Sequence, residues 1–308
     1  MSSAGASLSP PLLAEDPAKG SSGDAGGVRH GSTRAAMRGR SWGPLRREWM
    51  KLLFQRRSYL IWVGAAAIPF LIALAIHLSN DHSGGGPVFI DRVLGNGMYV
   101  PLAALTVLIP FMLPMAAAMV GGYMIAGEAE LGTLRIVLLR PVRRESVLLA
   151  KWLAALFYLA FGAALMLASG LIFGAAFFGL HPMVTLSGTT VGVAHGLGLT
   201  LLVYLFGLAA MACLVSLAVL FSTLTDSSLT ALIATIVVYI VIQVLISFSY
   251  FDWLAPYVFP TYFGDFINLF RDPIAWRPMG KAMLVFALWS AGLTVAAGLV
   301  FRRKDVLS

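Results

Sequence analysis

The sequence predicts an all-α membrane protein that crosses the bilayer six times, and three observations support this fold class. Of the 308 residues, 59% are hydrophobic and 12% are charged, whereas about 25% are charged in typical soluble domains. The mean hydropathy is +0.84. Apolar segments also reach the length of about 20 residues that a membrane helix requires. These segments comprise residues 59–78, 101–126, 152–179, 191–221, 229–250 and 281–301.

Prolines and small residues add detail to these spans. Pro110 and Pro114 lie inside the second span and predict a kink there. The third and fourth spans carry small residues that permit close helix packing, among them Gly162, Gly170, Gly174, Gly196, Gly198 and Gly207.

The chain before the first span divides into two parts. Residues 1–43 are rich in Gly, Ser, Ala and Pro, and such a composition predicts a disordered tail. Residues 44–57 place apolar side chains on one helical face and Arg and Lys on the other, which predicts an amphipathic helix at the head groups. The alternative is a basic flank that only sets topology. We therefore expect a membrane domain over residues 44–308.

Lys and Arg residues are unevenly distributed between the loops. Most of them precede the first span, lie between the second and third, or follow the sixth. The other side has only Arg92, Arg271, Arg277 and Lys281. The positive-inside rule therefore predicts that both termini are cytoplasmic. The net charge of +8 is interpreted as a topology signal, and no nucleic-acid partner is predicted.

The most heavily charged internal segment comprises residues 127–151. Its arginines would each cost about 2.5 to 3.5 kcal/mol at the centre of a membrane helix, so the segment lies outside the bilayer. Gly132 permits a turn, Thr133 can cap a helix, and Pro141 ends it. Leu131, Leu134 and Leu138 recur at helical spacing. The residues predict a short surface helix that docks into a partner, or that packs on its own protein or on lipid head groups.

A second unusual segment is the loop between the fifth and sixth spans. Residues 251–276 are rich in Phe, Tyr and Trp and are interrupted by prolines. Aromatic rings favour the head-group level, which predicts an interfacial or re-entrant hairpin on the outer face; an ordinary aromatic belt is the alternative. Tyr257, Tyr262 and Phe263 are candidate gate residues. Gln243 is the main polar group within a span and is a candidate for a substrate contact or for a hydrogen bond between helices.

Motifs for catalysis and metal binding are absent from the sequence. It has no G-x-x-x-x-G-K-[ST] phosphate loop, no H-E-x-x-H and no G-x-S-x-G. The single cysteine gives no disulfide framework. No catalytic, cofactor-binding or metal-binding residues are therefore predicted.

Residues 128–151 resemble the signature of ABC-2 type transporter permeases. That pattern is roughly E-x-E-x-G-T-[LI], a short helix, P-[VI]-[ST]-R, and a Lys at the base of the third span. The matching residues are Glu128, Glu130, Gly132, Thr133, Leu134, Leu138, Pro141, Arg143, Arg144 and Lys151. Arg143 stands where the family usually has Ser or Thr. The likeness covers about residues 44–308, including the six spans and the outer hairpin.

The resemblance implies a role for these residues. The helix over residues 133–139 would be a coupling helix seated in a groove of a separate ATPase subunit, with Glu128, Glu130, Arg143 and Arg144 making polar contacts at or beside that groove. ATP and magnesium would be bound by that subunit, so this chain would not itself be an enzyme. Two permease chains, as homodimer or heterodimer, would form an exporter in a bacterial cytoplasmic membrane, in contact with its lipids.

Two other functions remain open from the sequence. The first is a non-transporting membrane anchor of an assembly or maturation complex, which would share the ATPase partner. The second is a membrane enzyme that works at the outer face through Asp252, Asp265 and Asp272, although these residues show no recognisable metal or acid-pair spacing.

Overall fold

The computed structural model describes residues 56–78, 90–93, 95–132 and 144–303. Within these residues the chain is almost entirely helical. In chain order, the helices are α1 (Arg56–Leu78), α2 (Ile90–Val93), α3 (Val100–Leu108), α4 (Met112–Glu130), α5 (Arg144–Phe178), α6 (Val193–Leu224), α7 (Ser228–Ile246) and α8 (Trp276–Arg303). The predicted tail and amphipathic helix, up to residue 55, lie outside the described residues.

The helix lengths agree with the predicted spans. Among the described residues, α1, α5, α6, α7 and α8 are long and apolar enough to cross a membrane, and α3 and α4 together make a sixth span if the bent pair counts as one. The pair is bent by 65° at a short break, which confirms the kink predicted from the two prolines. The prediction was wrong about where α5 begins, because this helix starts at Arg144 and includes eight more residues than expected.

The helix α6 lies at the centre of the bundle. In its most apolar window 78% of the residues are buried, against 11 to 22% for the other four long helices. It packs most extensively against α8 and α4. A central helix of this kind exchanges lipid contacts for contacts with other spans, so polar side chains on it can find protein partners.

The bundle has two ends, which we call basal and distal. The basal end comprises the last turn of α4, the first turns of α5 and α7, and the last turns of α6 and α8. The distal end comprises residues 95–99, 179–192 and 247–275. The three distal segments bond to one another, since the Asn96 amide donates to the His181 carbonyl at 2.6 Å and the Leu186 N–H donates to the Phe270 carbonyl at 2.8 Å.

A two-stranded hairpin at the distal end was not predicted. Strand β1 (Met183–Val184) pairs antiparallel with β2 (Thr190–Val191), and Met183 lies opposite Val191. The Tyr99 hydroxyl donates to the Val184 carbonyl and accepts from the Val184 N–H, at 2.6 and 2.9 Å. A Ser-Gly turn between short runs of Val and Thr was the sequence signal for this hairpin.

The loop before α8 is the segment predicted as an interfacial or re-entrant hairpin. It forms four 3₁₀ turns, Ser249–Phe251, Ala255–Tyr257, Phe259–Tyr262 and Asp265–Phe270. Its aromatic side chains divide into two sets. One set is buried against the bundle and contains Phe259, Tyr262, Phe263, Phe266 and Phe270, and the other is exposed and contains Tyr250, Trp253, Tyr257 and Trp276.

Small residues allow close packing at some of the predicted positions only. A Cβ atom on Gly174 would collide with the carbonyl of Gly97, and one on Gly170 would lie 2.9 Å from Pro101 Cβ. A Cβ atom on Gly196 would lie 2.6 Å from the Met98 Cε atom, whereas one on Gly162 or Gly198 would face open space. The close crossing therefore concerns the distal half of α5, where it meets the turn that precedes α3.

Candidate functional site

The basal end contains a buried ion pair that joins α4 to α5. The Lys151 ammonium lies 2.8 Å from the Glu128 carboxylate, and the two side chains are 2% and 4% exposed. Removing such charges from water costs several kcal/mol per ion, which the pair recovers only with close, well-aligned contacts. The resemblance implies polar contacts of Glu128 at or beside a partner's groove, which stays a prediction; within this chain the carboxylate is buried against Lys151.

A serine of the central helix fixes the end of α4 next to this pair. The Ser222 hydroxyl donates to the Gly122 carbonyl at 2.7 Å and accepts from the Ala126 N–H at 2.8 Å. It thus inserts into one turn of the α4 hydrogen-bond ladder. The close approach is possible because Gly121 leaves room for Val215 and Ala218 of α6. This contact holds the helix turn that leads to Glu128.

The second acidic residue of the pattern, Glu130, joins α4 to α7. One carboxylate oxygen accepts from the Ser228 hydroxyl at 2.8 Å and from the Ser228 N–H at 3.3 Å. Ser228 is the first residue of α7. Its N–H has no acceptor within the helix, and a negative charge is favourable at a helix N-terminus. Glu130 therefore caps the fifth span from outside that helix.

The first residue of α5, Arg144, joins this helix to α8. Its guanidinium donates to the carbonyls of Phe301 and Arg302 at 3.3 and 3.2 Å. Carbonyls in the last turn of a helix lack intrahelical donors, and a cation is favourable there. An exposed ion pair between Glu145 and Arg302 supports the same contact.

The chain turns immediately after Glu130. Gly132 has φ of 67°, a left-handed conformation that glycine adopts without steric cost. The segment between this turn and Arg144 lies outside the described residues. The predicted positions Thr133, Leu134, Leu138, Pro141 and Arg143, and the helix expected over 133–139, belong to it and stay predictions.

Sequence reasoning missed three residues that continue these contacts across the bundle. The Trp152 indole N–H donates to the Ser216 hydroxyl at 2.8 Å, and the Thr294 hydroxyl bonds the same oxygen at 3.2 Å. They connect α5, α6 and α8. In the sequence, Trp152 could have been found because it follows Lys151 directly. For Ser216 and Thr294 the only signal was a hydroxyl group within an apolar span. The basal ends of α4, α5, α6, α7 and α8 are thus connected by polar contacts.

The candidate gate residues lie at the distal end, and the structure connects two of them, Gln243 and Phe263, through Tyr239. The Gln243 amide donates to the Tyr239 hydroxyl at 2.9 Å, and the Tyr239 ring stacks on Phe263 at 6.1 Å between centroids. Tyr262 is buried and donates to the Pro256 carbonyl at 2.8 Å. Tyr257 is exposed, and its carbonyl accepts from the Trp289 indole. The missed residue here is Tyr239, which connects Gln243 to the loop.

Long apolar helices, almost no strand and a bundle with a charged basal end define a multi-pass membrane protein. The sequence matches the family model described as ABC-2 family transporter protein over residues 54–306. Because the match covers most of the chain, the protein belongs to this family and is a permease subunit of an ABC transporter. None of the curated proteins compared with the chain is similar enough to count as a relative.

Membership gives the chain a general role. Proteins of this family are membrane subunits, typically without a nucleotide-binding site of their own, and they associate in general with an ABC ATPase and as dimers. The basal end carries the segment that resembles the family's coupling signature. It also carries the polar contacts that fix both ends of that segment.

Proposed function

We propose that this chain is the membrane-spanning permease of an ATP-driven exporter, and that a separate ATPase subunit moves it through residues 131–143. One observation carries the proposal: the residues on either side of this segment join four helices, α4, α5, α7 and α8. Glu128 pairs with Lys151, Glu130 caps α7, and Arg144 caps α8. A force on the segment would therefore act on several helices together.

The contacts explain how a small movement becomes a large one. Packed helices joined by buried polar contacts move as a body, because the contacts have one good geometry and do not deform gradually. The Glu128–Lys151 pair is the strongest of them, since separating two buried charges would leave both uncompensated. In this proposal the basal ends move as one unit and change the spacing at the distal end.

The charge distribution supports one orientation of the chain in the membrane. The basal end carries Arg144, Lys151, Arg302 and Arg303, and residues 133–143 of the sequence add three further arginines. Under the positive-inside rule this end lies in the cytoplasm. ATP is available on that side, and we assign the protein to a bacterial cytoplasmic membrane with both termini inside.

The test is a charge placed on the predicted docking face. Leu138→Asp should abolish ATPase binding, because the carboxylate would have to be buried in the apolar contact. Ile136→Asp, on the opposite face of the same predicted helix, is the matched control. The tagged permease is purified from its native cells, and vanadate-sensitive ATP hydrolysis in the purified complex is measured.

The outcome separates the two variants. We expect no ATPase activity to copurify with the Leu138→Asp protein, although the amount of permease in the membrane stays unchanged. The Ile136→Asp protein should retain the copurifying ATPase activity. Full ATPase binding by the Leu138→Asp protein would contradict the docking assignment. A non-transporting anchor would pass this test but would show no ATP-dependent change at its distal end.

A further inference from the structure

The break in the second span interrupts the helical hydrogen bonds at a depth where lipid supplies no donors. Helix α3 ends at Leu108 and α4 begins at Met112, with a bend of 65° between them. Pro110, Phe111 and Met112 are exposed in the chain. In a membrane, irregular backbone is tolerated only where it is buried in protein or lines a water-filled space.

The two prolines leave carbonyls of the break without their helical donors. Pro110 has no N–H for the Thr106 carbonyl, and Pro114 has none for the Pro110 carbonyl. Tyr239 of α7 supplies one replacement, since its hydroxyl donates to the Pro110 carbonyl at 2.7 Å. Gln243 in turn donates to this hydroxyl at 2.9 Å. The break is therefore a supported structural feature, fixed by the fifth span.

The depth of the break follows from helix geometry. With a rise of 1.5 Å per residue, Met112 lies about 24 Å along α4 from Glu128. The hydrocarbon core is about 30 Å thick. The Glu130 contact places the start of α7 at the basal end, and Tyr239 lies about 16 Å along that helix from Ser228. The break thus lies in the distal half of the bilayer, below the head groups.

The exposed face beside the break is rich in methionine. Met112, Met115 and Met119 recur at helical spacing on α4 and are 53%, 44% and 46% exposed. Phe111 extends the same surface. Thioether side chains are flexible and polarisable, so they adapt to ligands of different shapes. We call Phe111, Met112, Met115 and Met119 the methionine face.

We propose that the methionine face and the adjoining break line the water-accessible pathway of the transporter, and that the pathway admits bulky, mainly apolar or amphipathic molecules. Water in this space hydrates the carbonyls that α3 cannot bond. The side chains of the methionine face are apolar or thioether groups, which fits such molecules better than sugars or ions. This inference rests on the proposed transport function.

The test uses cysteine labelling, for which the chain is well suited. Its single cysteine, Cys213, is buried, and Cys213→Ala gives a cysteine-free background. Met112→Cys and Met115→Cys place a thiol on the methionine face. Leu71→Cys in α1 and Leu288→Cys in α8 are matched controls, since both positions are more than half exposed and lie at a similar height, about 22 Å along their helices from the basal end.

Two reagents are applied to membranes that contain the full chain with its partners: a small, charged, membrane-impermeant methanethiosulfonate and the bulky fluorescein-5-maleimide. We expect both to label Met112→Cys and Met115→Cys at least about tenfold faster than the two controls, because only a water-filled space brings a charged reagent to that depth. Membrane insertion is checked by detection of the tagged chain in the same membranes.

Three results would overturn the inference in different ways. Labelling no faster than at the controls would place the break in lipid. Absent labelling together with a Met115→Cys disulfide between two copies would place it in a protein seam. Labelling by the small reagent alone would exclude bulky substrates.

Combining Met115→Cys with Leu138→Asp separates this proposal from the ATPase assignment. If Met115→Cys is still labelled after the ATPase is lost, water access to the methionine face does not depend on ATPase binding. If the Leu138→Asp chain keeps its ATPase while Met115→Cys is labelled, only the docking assignment is wrong.

Discussion

The basal and distal ends of the bundle are held together by different kinds of contact. At the basal end, charges and hydroxyls bond one another and helix termini, as in the Glu128–Lys151 pair and the Glu130 cap of α7. At the distal end, packed aromatic rings dominate, including Phe259, Phe263 and Phe266, together with glycine crossings such as Gly97 on Gly174.

This difference suggests a division of roles. Charge pairs and caps have one good geometry, so an end that they hold transmits displacement without absorbing it. Aromatic ring contacts are individually weaker, about 0.5 to 1.5 kcal/mol beyond their buried area. In the proposed exporter, the basal end would receive the force and the distal end would open the pathway.

The largest expected effect concerns the basal ion pair. Lys151→Met removes the ammonium that pairs with the buried Glu128 carboxylate, which should destabilise the protein by about 3 to 5 kcal/mol. Thermal unfolding of the purified protein, followed by size-exclusion chromatography, measures the change. Arg302→Ala breaks an ion pair with side chains 59% and 44% exposed and should cost at most about 1 kcal/mol.

A double change tests the reason for that effect. Adding Glu128→Gln to Lys151→Met removes the buried carboxylate charge as well and should recover much of the lost stability. If Lys151→Met were no more harmful than Arg302→Ala, the basal end would not depend on charge pairing, and the contrast between the two ends would fail.

Much of the fold could be predicted because apolar length and proline position are local properties of the sequence. The spans and the kink near Pro110 follow from residues within one segment, and the structure contains both. The helix ends were predicted less accurately. Polar residues such as Arg144 and Lys151 were assigned to a loop, although tertiary partners hold them in α5.

The partners of the site residues could not be predicted in the same way. Glu130 bonds Ser228 across 98 positions, and Arg144 bonds Phe301 across 157. No local pattern records such pairings, because they depend on which helix faces lie together after packing. The charged residues of the signature were identified from resemblance, but their contacts within the bundle came only from the structure.

The next prediction tests close packing at the distal end. Gly174→Ala adds a methyl group where the backbone of Gly97 crosses α5, and such overpacking should cost about 1 to 3 kcal/mol. Gly162→Ala on the same helix faces open space and should be neutral or stabilising by up to about 1 kcal/mol, since alanine favours helix over glycine. Thermal unfolding distinguishes the two, and equal effects would contradict the crossing.

The smallest expected effect is a pH dependence in the distal loop. Asp265 is half-buried in the last 3₁₀ turn. Burial raises the pKa of its carboxyl, and the nearby Lys281 ammonium offsets part of that rise. A folded-state pKa above the unfolded value means that the protonated group contributes stability at acid pH, and that this contribution is lost as the pH rises through the folded pKa.

Asp265→Asn should therefore have the higher Tm at neutral pH, where the native carboxylate is ionised and partly desolvated. The difference should shrink as the pH falls toward about 4, because the aspartate then takes up its proton and the two side chains become nearly isosteric and neutral. Asp252→Asn, in the same loop, controls for the change in net charge. A lower Tm for Asp265→Asn than for the native chain at neutral pH would show that the Lys281 attraction outweighs burial and that charge also stabilises the distal end.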